Sequence, residues 1–173
     1  MIDNQSNIIT ERYFLRELEE QDATERYLNW FGDSETRRFI TTAPSTKKLS
    51  DLKQYISERI GRKDILFLGI FEKTSGLHLG NIKYEPVDTQ LRYAIMGILI
   101  GDTAFRGIGL GPEVLKASAK WLKLHRNIDR IILGVSKNNK SAIRSYEKTG
   151  FIITDTPYIS KLDPETITMV WSL

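Results

Sequence analysis

The stretch Phe105-Arg106-Gly107-Ile108-Gly109-Leu110-Gly111 gathers three glycines and an arginine, and Pro112-Glu113 and an apolar-periodic run follow at once. Ile95–Ile100 before it is β-rich, while Val114, Leu115, Ser118, Trp121 and Leu122 after it recur at helical spacing. Pro112 falls where a first-turn proline is tolerated, because its missing N–H would have no helical partner anyway. The order is therefore strand, glycine-rich turn, helix. Glycines let the backbone fold tightly with several N–H groups converging, and the helix N-terminus adds partial positive charge. That chemistry suits a phosphate, and Arg106 supplies a formal charge beside it. The dinucleotide fingerprint fails because Pro112 stands where a third glycine is needed, and no Gly-Lys-Ser/Thr follows to make a Walker loop.

A second group lies downstream, at Val135, Asn139, Ala142, Tyr146, Gly150 and Phe151. Asn139 suits a helix N-cap, with a side chain that can also face a ligand. Ala142 and Tyr146 are four apart and share one helical face, where the small alanine leaves room beside the ring. A neutral tyrosine, with a reference pKa of about 10, is a proton or hydrogen-bond donor at pH 7. Taken singly, Asn139 is a cap and Tyr146 a packed aromatic.

The elements that must position these groups read off in order. Glu11–Leu18 alternates as a first strand. Asp22 caps a helix over Ala23–Phe31, with Glu25 completing a capping-box-like pair. Asp33–Lys48 is polar and broken by Pro44, a loop with a helical turn in it. Ser50 caps a helix over Asp51–Ile60, stopped by Gly61. Strands follow at Ile65–Phe71, apolar enough to be covered on both faces, at Leu77–Tyr84 after the Lys73–Gly76 turn, and at Leu91–Ile100 after a turn at Pro86-Val87-Asp88. Gly97 inside the last of these predicts a bulge or a close backbone approach. The helix after the glycine turn runs to about Arg126. Ile128–Val135 is a buried strand, Asn139–Lys148 a helix, and Phe151–Ser160 and Thr166–Trp171 close the chain as strands.

Composition narrows the class. The 173 residues, 40% hydrophobic and 27% charged, suit one globular domain spanning 1–173. Without cysteine there is no disulfide, thiolate metal site or cysteine nucleophile, and the two histidines, His78 and His125, are too far apart in sequence to suggest a metal. A net charge of +3 without clustering predicts no nucleic-acid partner. No apolar run reaches membrane-span length and Met1–Gln5 has no signal-peptide character, so the expected setting is cytoplasmic.

Arg106, Gly109 and Gly111 match R-x-x-G-x-G, and the downstream group matches V-x-x-x-N-x-x-A-x-x-x-Y-x-x-x-G-F at every fixed position. The chain thereby resembles the GNAT superfamily of acyl-CoA-dependent N-acetyltransferases, and Ile98–Asp102 (ILIGD) resembles its Rim-type branch. The resemblance covers nearly the whole chain. It implies an α/β (α+β) GNAT fold: a mixed, mostly antiparallel sheet of about seven strands flanked by four helices, in the order β-α-α-β-β-β-α-β-α-β-β, whose two central parallel strands splay apart. It implies acetyl-CoA as co-substrate, no metal, and cofactor contacts at Ile98, Leu99, Ile100, Arg106, Gly107, Ile108, Gly109, Leu110, Gly111, Asn139, Ala142 and Tyr146.

The implied reaction is direct attack of an amine on the thioester. An oxyanion would meet a backbone N–H near Gly97–Leu99, and Tyr146 would serve the leaving thiolate. Many Rim-type relatives have A-E-I-G where this chain has Ala94-Ile95-Met96-Gly97, so the base falls to Glu85, Asp88 or a water chain. Acceptor contacts are expected from Trp30, Phe31, Arg37, Arg38, Phe39 and Tyr158. Arg37 and Arg38 would greet an anionic acceptor such as a nucleotide-linked amino sugar. The expected partner is a small-molecule amine, with room for a homodimer. Protein N-terminal acetylation and non-catalytic acyl-CoA binding are the alternatives.

Overall fold

The computed structural model describes residues 7–34, 36, 48–159 and 163–173. Among these the order is β1 (Ile8–Ile9), β2 (Tyr13–Glu17), α1 (Glu25–Trp30), α2 (Leu49–Ser57), β3 (Leu66–Glu72), β4 (His78–Asp88), β5 (Tyr93–Ile100), α3 (Leu110–Arg126), β6 (Arg130–Ser136), α4 (Lys140–Thr149), β7 (Ile152–Ile153) and β8 (Thr166–Ser172). All eight strands form one sheet in the order β1-β2-β3-β4-β5-β6-β8-β7, antiparallel throughout except between β5 and β6. The mixed sheet, with these four α-helices among the described residues, is the expected fold. The additional strand is β1, whose two residues pair Ile8 with Leu15 and Ile9 with Phe14 and are too few to show a period in the sequence.

The all-apolar run of β3 has the expected cause. Leu66, Leu68 and Ile70 join the core under α3 and α4, while Phe67 and Phe71 join a second core under α1 and α2. On the first face α3 buries Val114, Leu115, Ala119 and Leu122, and its Ser118 hydroxyl meets the buried Tyr84 hydroxyl at 2.8 Å. On the second, α1 contributes Tyr27 and Trp30 and α2 contributes Leu52 and Ile56. Six-residue α1 is too short to persist alone, so burial of its two large rings, worth roughly 1.5–3 kcal/mol each, holds it. Asn81 of β4 ties it down by donating to the Tyr27 hydroxyl at 2.7 Å.

Five local expectations are corrected. The cap of α1 is Thr24, whose hydroxyl accepts from the Tyr27 N–H at 3.2 Å. Asp22 is instead held by Arg16 at 2.7 and 2.8 Å and accepts from the Glu19 N–H, closing a 3-10 turn. Helix α2 starts earlier than expected, with Lys48 as cap and the Asp51 carboxylate accepting from its N–H at 3.1 Å, which places Ser50 inside the helix. Strand β4 does not turn at Pro86 but continues to Asp88, because a bulge absorbs the proline: Tyr84 pairs Met96 and Val87 pairs Ala94, leaving Glu85 and cis-Pro86 opposite Ile95 alone. The irregularity expected at Gly97 thus lies on the neighbouring strand. Gly97 itself pairs regularly with Lys83, and a Cβ there would meet nothing within 4 Å. The final hairpin is also shorter than expected, β7 being two residues long.

Candidate active site

Strands β5 and β6 pair for only three residues, Tyr93 with Arg130, Ala94 with Ile131 and Ile95 with Ile132. Beyond this point β5 continues to Ile100 bound to β4, and β6 continues to Ser136 bound to β8. The inner edges of Met96–Ile100 and Leu133–Ser136 have no partner strand, and a V-shaped cleft opens between them. The β4 bulge sits at the apex, opposite Ile95, where added local twist turns β5 away. Ile98 and Ile100 line β5 as half-buried side chains against the α3 core, while Leu99 is buried on the opposite face. There Gly80 allows a close crossing, since its Cβ would meet the Leu99 carbonyl oxygen at 2.2 Å.

The glycine turn stands at the wide end. Gly107 and Gly109 have φ of +74° and +87°, a left-handed backbone that glycine adopts without strain, and Gly109 caps α3. Among the described residues, the amides of Gly107, Ile108, Gly109, Leu110 and Gly111 have no hydrogen-bond partner. Five successive unpartnered donors at the positive end of a 17-residue helix make a concave anion site.

Arg106 does not extend toward this turn. Its Nε donates to the Ile100 carbonyl at 3.0 Å, its two terminal nitrogens to Asp33 Oδ2 at 3.2 and 3.1 Å, and Nη2 also to the Thr36 hydroxyl at 3.0 Å. Hydrogen bonds from the Thr36 hydroxyl and N–H, assisted by Arg106, hold the Asp33 carboxyl down to about 2. The guanidinium fastens the turn to the segment after α1. The cation beside the glycines is Arg12, immediately before β2. Its Nη1 donates to the Ile108 carbonyl at 3.1 Å and its Nε to Glu113 at 2.8 Å. It is 96 residues away from Ile108 in sequence, with no local motif to mark it.

Helix α4 packs beside α3 on the same face of the sheet. The Asn139 side chain accepts from the Ala142 N–H at 3.2 Å, so it is the cap its sequence position suggests. Tyr146 is half-buried, its ring 5.6 Å from that of Phe151. Among the described residues its hydroxyl has no hydrogen-bond partner. Burial pushes the phenol up to about 12, so it stays protonated across the physiological range.

Glu85 lies on the bulge, with Oε2 held by Lys83 at 2.6 Å and by Arg59 at 3.1 Å. Burial raises its pKa, but the hydrogen bonds and charges of Lys83 and Arg59 together outweigh it and keep the carboxyl below its usual range. That makes Glu85 a fixed anion of low basicity. Asp88 caps the next turn, accepting from the N–H groups of Gln90 and Leu91. Trp30 is only 5% exposed and packs under Gly101, where a Cβ would meet the indole at 1.9 Å, so it supports the end of β5 from below. Phe31 stacks on Tyr27, and Tyr158 stacks on Tyr93 at 4.1 Å, at the closed end of the cleft. Arg37, Arg38 and Phe39 lie outside the described residues. Among the described residues there is no group of His, Asp and Glu side chains able to hold a metal, and no helix long and apolar enough to cross a membrane.

Residues 12–152 match the acetyltransferase (GNAT) domain family. A curated relative, the mycothiol acetyltransferase of Corynebacterium glutamicum (strain R), is 30% identical over 93 residues, which are 54% of this chain and 30% of the relative. The chain therefore spans less than a third of that relative's length. A solved structure of RimL, a ribosomal L7/L12 alpha-N-protein acetyltransferase in complex with coenzyme A, superposes with a TM-score of 0.83 at 14% identity, covering 97% of this chain and 98% of that one. AAC(6')-Ib in complex with ribostamycin and coenzyme A superposes with a TM-score of 0.75 at 20% identity, covering 94% of each chain. At such identities the superpositions speak for the fold alone. The splayed parallel pair, the glycine turn at its mouth and the match over most of the chain lead to one conclusion: the chain belongs to the GNAT acetyltransferases, a family that uses acetyl-CoA.

Proposed function

We propose that this chain transfers the acetyl group of acetyl-CoA to a primary amine by direct attack, the amine being carried by a small molecule such as a nucleotide-linked amino sugar. One observation carries the reading: five amides without a hydrogen-bond partner among the described residues stand at the mouth of a cleft whose walls are the unpaired inner edges of two strands. The diphosphate sits on the amides of Gly107–Gly111, and the pantetheine arm runs into the cleft along Ile98–Ile100, where β5 offers backbone groups that no neighbouring strand uses.

The neutral amine attacks the thioester carbon, the oxyanion takes a backbone N–H near Gly97–Leu99, and the C–S bond then breaks. Tyr146 meets the departing sulfur. Because its phenol titrates near 12 and a thiol near about 8.5, full proton transfer is uphill by roughly three pH units. Tyr146 therefore acts as a hydrogen-bond donor to the thiolate, and the thiol proton comes from solvent. Water takes one proton from the acceptor's ammonium before attack and a second from the nitrogen as the C–S bond breaks. Glu85, already paired with Lys83 and Arg59 on the bulge opposite Ile95, stays an anion and takes neither.

The test is thiol release from acetyl-CoA across a panel of amino sugars, polyamines and N-terminal peptides. Acetylation of an amino sugar supports the reading. Turnover of peptides alone selects protein N-terminal acetylation, and CoA binding without release for any amine selects a non-catalytic module.

A further inference from the structure

Arg12 is placed where the phosphate site needs a cation. Three of its groups are committed: the backbone N–H to Glu113 Oε1 at 2.9 Å, Nε to Glu113 Oε2 at 2.8 Å, and Nη1 to the Ile108 carbonyl at 3.1 Å. Thr10 fixes the same carboxylate through a 2.6 Å hydrogen bond to Oε1. The remaining nitrogen, Nη2, has no partner among the described residues and lies 3.4 Å from where a Cβ on Gly109 would stand. A free N–H edge thus adjoins the central glycine of the five-amide cradle, on a side chain that is 42% exposed. The local charge also requires it. Glu113 occupies the first turn of α3, beside the anion site, where an unpaired carboxylate would repel a phosphate.

We infer that Arg12 is a diphosphate-binding residue: Nε and Nη1 neutralise Glu113 and hold the Ile108 carbonyl, while Nη2 donates to a phosphate oxygen seated on the glycine turn. This rests on the turn being the CoA site. It gives Arg12 the electrostatic role that the sequence pattern assigns to Arg106, whose guanidinium is bound to Asp33 and Thr36. A charge-assisted contact of this kind adds to the amide hydrogen bonds and makes the turn selective for a doubly charged group.

The experiment measures affinity for CoA, dephospho-CoA and pantetheine by calorimetry in the wild-type chain, Arg12→Gln, Glu113→Gln and the double variant. Arg12→Gln is expected to weaken CoA and dephospho-CoA alike by roughly 10- to 100-fold, the scale of one charge-assisted hydrogen bond, and to leave pantetheine unchanged. The double variant stays weak if Arg12 touches the ligand. Recovery of CoA affinity in the double variant overturns the inference, because Arg12 would then act only by neutralising Glu113. A loss seen with CoA but not with dephospho-CoA overturns it too, since the contact would be to the 3'-phosphate. Phenylglyoxal labelling of the wild-type chain gives an answer even if Arg12→Gln fails to fold: CoA must protect Arg12 and pantetheine must not, and equal labelling with and without CoA refutes the contact. Gly109→Val separates the two levels of the account. If it binds CoA normally, the turn itself is misassigned; if it fails to bind while Arg12→Gln binds normally, only Arg12's role falls.

Discussion

Arg106 donates to Asp33 Oδ2 from both terminal nitrogens, at 3.2 and 3.1 Å, so the arginine that opens the glycine motif faces the end of α1. The bond joins the candidate cofactor turn to the segment that leads into the expected acceptor loop. Arg106→Gln and Asp33→Asn should therefore raise the acceptor KM together and change CoA affinity by no more than a few fold. A collapse of CoA affinity in Arg106→Gln, with Asp33→Asn normal, would show that the guanidinium leaves Asp33 for the ligand.

Tyr146→Phe keeps the ring and removes the donor. It should lower kcat by roughly 10²-fold, the scale of losing one catalytic donor, with the melting temperature unchanged because the hydroxyl has no partner among the described residues. With the phenol near 12, no alkaline fall in kcat traceable to Tyr146 should appear below about pH 10. Steady-state kinetics on an enzyme limited by chemistry read both. A variant with normal kcat removes Tyr146 from the mechanism.

His78 sits among the rings of Tyr27, Trp30 and Phe71, its Nε2 without a partner among the described residues, and burial lowers its pKa to about 4. The unfolded chain takes up this proton near 6.5, the folded chain only near 4, so stability present above about pH 6.5 is lost as pH falls toward 4. The loss over that window is roughly 3 kcal/mol. Denaturant melts of the wild type and His78→Phe across it should differ in slope. Parallel curves would mean that His78 titrates normally.

Gly101→Ala should destabilise the fold by about 1–3 kcal/mol, because the new methyl would overlap the Trp30 indole at the end of β5. Urea denaturation measures it. An unchanged midpoint would show that Trp30 yields without cost.

The architecture was legible where the signal is periodic or local. The apolar run at Leu66–Ile70, the 17-residue α3 and the Asn139 cap all follow from short-range patterns, and so does the glycine turn. What escaped depends on distant partners. Asp22 and Thr24 are both good caps, and the choice between them turns on Arg16 in the preceding strand. Pro86 reads as a turn because its tolerance inside β4 depends on a bulge that only pairing with β5 defines. Arg12 gave no sign of its position, since its partners Ile108 and Glu113 lie 96 and 101 residues further along the chain. The loss of basicity at Glu85 arises first from nearby Lys83 and then from Arg59, which lies 26 residues away just past the end of α2.

The most direct test of the whole account is a titration of isotope-labelled protein with CoA, followed by backbone amide resonances. CoA must shift the amides of Gly107, Ile108, Gly109, Leu110 and Gly111 downfield together, as unpartnered donors acquiring phosphate acceptors do, while pantetheine leaves them in place and shifts residues 96–100. Saturable CoA binding that leaves those five amides unmoved would contradict the account.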